Sequence, residues 1–141
     1  MGTLLENAKK IEILDNDYAT VYCLPDDRIV YHRFKQFAEG DNFRNVITRA
    51  ADAFEKYQCT MYLSDDTKIG VYNSEDTNWG EIHFTPRLVK AGWTHWVIMS
   101  PERVAGKIRL KTVIEHFKSF GVQVDVYDDV DKGYEFLTSN K

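Results

Sequence analysis

Cysteine is scarce in this chain of 141 residues: there are two, Cys23 and Cys59. They form no Cys-x-x-Cys pair for a metal. Each lies at or beside an expected strand, where a thiol is ordinarily buried and reduced. Runs of basic residues are missing as well. Lys and Arg number 18 against 22 Asp and Glu, a net charge of −4, and nothing clusters to track a phosphate backbone, which argues against a nucleic-acid partner. No apolar run nears the ~20 residues that cross a bilayer. The opening Met1-Gly2-Thr3-Leu4-Leu5-Glu6-Asn7 lacks the charged-then-apolar order of a secretory signal, and position 6 lacks the Ser or Thr of the myristoylation pattern. A cytoplasmic location without membrane insertion is the expectation. His-Glu-x-x-His, Gly-x-Ser-x-Gly and a glycine-rich phosphate loop are all absent. The sequence therefore assigns no metal, no cofactor and no catalytic residue.

What is present reads as a globular protein. Hydrophobic residues make up 43% and charged residues 28%, with aromatics rich at 13%. This length suits one domain that buries roughly two thirds of its unfolded surface. Residues 1–10 read as a loose leader or short helix, and 11–141 as a single domain.

Strand character begins at Ile11 and is best over Thr20-Val21-Tyr22-Cys23-Leu24. Pro25-Asp26-Asp27 is turn chemistry, and Arg28 to Phe34 pairs back as a hairpin. Asp41 is the expected N-cap of a helix whose Phe43, Val46, Ile47, Ala50, Ala51, Phe54 and Tyr57 form one apolar stripe. Arg44, Asn45, Arg49 and Asp52 are assigned to its solvated back. A strand, Met61 to Asp65, opens into a polar connection. Ser74-Glu75-Asp76 then gives an N-cap followed by first-turn acids. Pro86 predicts a break near 82–86, and Gly92 a helix end. Thr94 to Met99 is the next strand. Ser100-Pro101-Glu102 predicts another helix start, with Gly106 ending a short helix before the stripe Leu110, Val113, Ile114, Phe117 and Phe120. Val122 to Tyr127 alternates cleanly as a strand, and Asp128 or Asp129 caps a last helix bearing Val130, Tyr134 and Leu137.

The order ββαβαβαβα predicts an α/β fold: a mixed, mostly parallel five-stranded sheet with an N-terminal antiparallel hairpin. Strands added in sequence put the crossover helices mainly on one face. Met61 and Leu63 are grouped with Val122, Val124 and Val126 on the apolar side. Tyr62, Gln123, Asp125 and Tyr127 are placed on a half-wet opposite face.

Several of these segments carry a family likeness. Tyr62-Leu63-Ser64-Asp65 with its loop, Ser74-Glu75-Asp76, Phe84-Thr85-Pro86-Arg87-Leu88-Val89-Lys90-Ala91-Gly92, and Val122 to Leu137 together resemble a STAS domain of the SpoIIAA type. They are most similar to the small stand-alone bacterial STAS/Sec14-like proteins, over roughly residues 11–138. The likeness implies a non-catalytic regulatory or binding domain. In anti-sigma-factor antagonists of this family a serine at the start of the second helix is phosphorylated. Asn73-Ser74-Glu75-Asp76 occupies that place here, without the family's glycine and with two added acids. Ser74 is thus either a helix cap or a phosphorylation site.

Among individual residues, Ser64, Asp65 and Asp66 stand at the C-terminal end of a parallel strand, where open α/β sheets bind ligands. Trp79 and His83 can line a cleft or an interface, with core packing as the plainer role for the tryptophans. His32 and His95 lie in strands, where a hydrogen-bonded structural role is favoured over a ligand role. Three functions follow in order: a module that binds a protein partner or itself as a homo-oligomer; a small-ligand binder, apolar or anionic; and a hydrolase or isomerase with Asp65 or Asp66 as general base.

Overall fold

The stretch that opens the sheet holds two strands where the sequence suggests one. Asn16 makes the difference. Its Oδ1 accepts from the backbone N–H groups of Tyr18 and Ala19 at 2.8 and 3.0 Å, the self-turning habit of asparagine. This turn separates β1 (Ile11–Asp15) from β2 (Ala19–Leu24), which pair antiparallel. Pro25-Asp26-Asp27 reverses the chain into β3 (Ile29–Phe34), antiparallel to β2. The computed structural model describes residues 3–70, 72–99 and 104–139, and among them the sheet has six strands rather than five.

From β3 onward the chain alternates helix and parallel strand. Helix α1 (Thr3–Asn7) precedes the sheet. Helix α2 (Asp41–Lys56) leads to β4 (Met61–Asp65). Helices α3 (Ser74–His83) and α4 (Thr85–Ala91) lead to β5 (His95–Met99), and α5 (Val104–Lys118) leads to β6 (Gln123–Val126). Helix α6 (Val130–Thr138) follows the sheet. The strands lie in sequence order, parallel from β3 to β6.

Right-handed crossovers in that order fall on one face. Phe54 of α2, Leu88 of α4 and Phe117 of α5 accordingly share a core with Val30, Tyr62, Ile98 and Val124. The second face is also covered: Leu5 of α1 and Leu137 of α6 pack with Leu24, Ile29, Leu63 and Val97. Glycine permits this. A Cβ on Gly133 of α6 would stand 2.8 Å from Val97 Cγ1 and 3.4 Å from Leu63 Cδ1, so the helix lies closer to β4 and β5 than alanine would allow.

Register corrects the assignment of faces. Tyr62 is paired with Val30 and Trp96, and Trp96 with Val124. Tyr62 therefore shares the α2 face with Val124 and is buried. Met61 and Leu63 point the other way, toward α6. Val126 is 43% exposed on the edge strand.

Two helix starts also move. Gly40, not Asp41, is the N-cap of α2, with φ +59° and ψ −136°, a backbone region essentially reserved for glycine. Gly106 lies inside the single helix α5 and does not end a short one. Ser100, Pro101 and Glu102 lie outside the described residues. The break before Pro86 falls at Phe84, and left-handed Gly92 closes α4, as the sequence suggests. Among the described residues no helix is long and apolar enough to cross a membrane.

Candidate functional site

Alternation along β4 separates the three residues that the sequence groups at its end. Ser64 and Asp66 are buried and Asp65 is half-exposed. Ser64 Oγ accepts the indole N–H of Trp96 at 2.8 Å. Asp66 closes a longer chain of polar groups. Its Oδ1 lies 2.6 Å from His32 Nε2, and its Oδ2 accepts the Tyr72 hydroxyl at 2.6 Å. The other imidazole nitrogen, Nδ1, lies 2.5 Å from the Tyr62 hydroxyl. With Asp66 ionised, every group is satisfied when the imidazole proton sits on Nε2 and Tyr62 donates to Nδ1. Burial, and then the charge of Asp66, holds the Tyr62 phenol well above its ordinary pKa.

The order Tyr–His–Asp is that of a proton relay, but this one is closed at both ends. Both Asp66 oxygens are engaged and Tyr62 is 1% exposed. Among the described residues, no buried side-chain nitrogen or oxygen lacks a hydrogen-bond partner. The network pins the loop after β4 to β3 and delivers the chain, through Tyr72, to the start of α3.

Helix α3 is attached in an unusual way. Its one buried side chain is an aspartate, Asp76. Asp76 Oδ1 accepts from Arg44 Nε at 2.9 Å, and Oδ2 accepts the Gly40 backbone N–H at 2.8 Å. Arg44 thus leaves the solvated back of α2 to reach α3. Its guanidinium also lies 5.3 Å from the centre of the Trp79 ring, a cation–π contact. The His83 ring is 5.5 Å from Trp79.

Asn73, not Ser74, caps this helix: its Oδ1 accepts from the N–H groups of Glu75 and Asp76 at 2.9 and 3.1 Å. Ser74 is the first helical residue and is exposed. Ile82 is 58% exposed. Glu81 meets His116 of α5 at 2.9 Å, and the His116 ring packs 5.0 Å from that of Phe120, itself 42% exposed. The Glu81–His116 pair ties α3 to the C-terminal turn of α5, and Phe120 follows that helix.

Asp65 belongs elsewhere. Its Oδ1 holds the Thr67 N–H and hydroxyl, and it borders an open cleft of about 450 Å³ with Thr67, Asp128, Asp129 and Lys132. The structure thus links Asp66 to the approach to α3, places Trp79 and His83 on that helix, and leaves Asp65 on the other side of the sheet. Among the described residues no group of three or more His, Cys, Asp or Glu is placed to hold a metal ion.

Trp93 and Trp96 join the core on the α2 side, and His32 has the structural role expected of a strand histidine. The roles of Tyr62, Tyr72, Arg44 and Asp76 go beyond the sequence reading. Their partners are 30, 6, 32 and 36 residues away, and most of these contacts depend on strand register or helix docking, which no local spacing encodes. One signal was available: an aspartate in the first turn of a helix with almost no apolar stripe. No protein-family model, curated protein or solved structure matches this chain.

Proposed function

We propose that the chain is a STAS-like regulatory or interaction module that acts without catalysis, by binding a protein partner or a second copy of itself. The observation that carries this reading is the exposed surface of α3. A ten-residue helix held by an ion pair and a cap, rather than by an apolar stripe, turns Ser74, Ile82 and His83 to solvent. Sequential parallel strands with their crossovers on one face support the STAS likeness.

The place of Ser74 supports it further. Asn73 takes the capping role, so the serine hydroxyl is not needed for it. A phosphate there would meet the positive end of α3, and Arg44 already offsets the charge of Asp76, while Glu75 and Glu39, the latter held by the Asn73 side chain, remain as repelling neighbours. The test is affinity capture with three forms of the chain. A protein retained by the wild type and by Lys111→Glu, but lost from Ile82→Glu, is the expected result. A retained set that does not change with Ile82→Glu contradicts the reading.

The cleft at Asp65 supports a second reading, a small-ligand site, since it lies at the C-terminal ends of parallel strands. Three carboxylates around one lysine favour a cationic or hydroxylated ligand over an apolar or anionic one. Native mass spectrometry of freshly purified protein tests this. A mass excess over the bare chain supports it, and bare chains alone count against it.

A further inference from the structure

Cys23 lies on β2, one strand in from the edge of the sheet, laddered between Ile11 and Val30. Cys59 lies in the turn from α2 into β4. Both are fully buried and both are free thiols. Folding brings them into contact, Sγ to Sγ, at 3.8 Å.

We propose that Cys23 and Cys59 are a redox pair, converted to an internal disulfide by a hydroperoxide. The first step joins the Cys23 sulfur, as thiolate, to one peroxide oxygen. The O–O bond breaks, and with hydrogen peroxide one water leaves and a sulfenic acid remains. The Cys59 sulfur then attacks the sulfenic sulfur, forms the S–S bond and releases a second water. Two thiols and one hydrogen peroxide become one disulfide and two waters. Two electrons pass from sulfur to oxygen.

Three features support the pair. A disulfide needs sulfurs about 2.05 Å apart, so these must close by about 1.8 Å. The movement can come from the Cys59 side, which is a turn and not a strand, with Gln58 already at φ +54°. The contact itself also divides the roles. The Cys59 thiol stabilises the Cys23 thiolate by hydrogen bonding and lowers its pKa against the opposing effect of burial, while the Cys59 pKa is raised. Finally, a small uncharged oxidant can enter on local opening of the turn, which a bulky disulfide cannot do as readily. The bond would tie β2 to the α2–β4 turn, away from α3, so its effect falls on stability rather than on the docking surface.

The test uses the reduced wild-type chain, exposed to hydrogen peroxide, quenched, denatured, alkylated and weighed. The expected product has lost two hydrogens, takes up no alkylating agent and yields a Cys23–Cys59 cross-linked peptide. Dithiothreitol reverses all three signs. Its melting temperature exceeds that of the reduced chain by roughly 5–10 °C, and Cys59→Ala shows no two-hydrogen loss. Full alkylation of both thiols after peroxide, or sulfinic acids or chain-to-chain disulfides in place of the internal bond, would overturn the proposal.

Discussion

His32 and Asp66 show at the scale of single residues how a fold can use reactive groups without exposing them. Both side chains are about 95% removed from solvent, so truncating one strands the other. His32→Ala leaves the Asp66 carboxylate buried with Tyr72 alone and is expected to cost about 3–5 kcal/mol. Tyr72→Phe removes one hydrogen bond to the same carboxylate and should cost about 1.5–3 kcal/mol. Urea unfolding measures both, and losses below about 1 kcal/mol would mean that the network is not formed in solution. Tyrosines give a separate signature. Burial holds the phenols of Tyr31, Tyr62 and Tyr134 above their ordinary pKa, with added pressure from Asp65, Asp66 and Asp27 respectively. A pKa raised in the folded state means that the folded chain keeps protons the unfolded chain releases. Stability should therefore be intact below about pH 10 and fall as pH rises beyond it. Absorbance at 295 nm should show these three of the eight tyrosines ionising together with the loss of circular dichroism, not before it.

At the scale of elements, helices differ in how they are held. Helix α2 is held by its apolar stripe, and the sequence shows this directly, because Val46, Ile47, Ala50, Ala51 and Phe54 recur at helical spacing and are all buried. Helix α3 has no such stripe, which is why its spacing said little about where it docks. Asp76 is its anchor, so Asp76→Ala should loosen this helix alone. Hydrogen exchange of residues 74–83 should accelerate at least tenfold while the amides of α2 stay protected; equal acceleration in both would show that Asp76 supports the whole core. Helix α6 is held by closeness. Gly133→Ala gains helix propensity of about 1 kcal/mol but drives a methyl into Val97, where overpacking costs about 1–3 kcal/mol. Net destabilisation in thermal melts is the expected outcome, and a more stable variant would contradict the packing. The strands were legible as segments but not as faces. Every residue change of face depends on which neighbour it meets, and the Asn16 turn that divides β1 from β2 was hidden in a stretch with strand-like composition on both sides.

At the scale of the whole molecule, a sheet covered on both faces leaves its outer surfaces to carry function. The helix–strand alternation, and with it the α/β class, was readable from caps, stripes and breakers, but the sixth strand and the cover of the second face by α1 and α6 were not. The candidate site was less readable. Ser64 and Asp66 turned inward into hydrogen bonds, Asp65 turned to the opposite face, and Trp79, His83 and Ser74 came to lie on a helix whose docking depends on Arg44 from another element. What the chain presents on that side is α3, with Ile82 exposed and Glu81 paired to His116 of α5. Ile82→Glu should leave the melting temperature within about 2 °C of wild type, since an exposed substitution changes stability by about 0.5 kcal/mol or less. Photo-crosslinking in cells, with a benzophenone side chain at position 82 and, as control, at position 111, tests the α3 surface as a docking site. A docking surface on α3 gives a discrete protein adduct, to a partner or to a second copy of the chain, from position 82 and none from position 111. No adduct at position 82, or the same adducts from both positions, would contradict it.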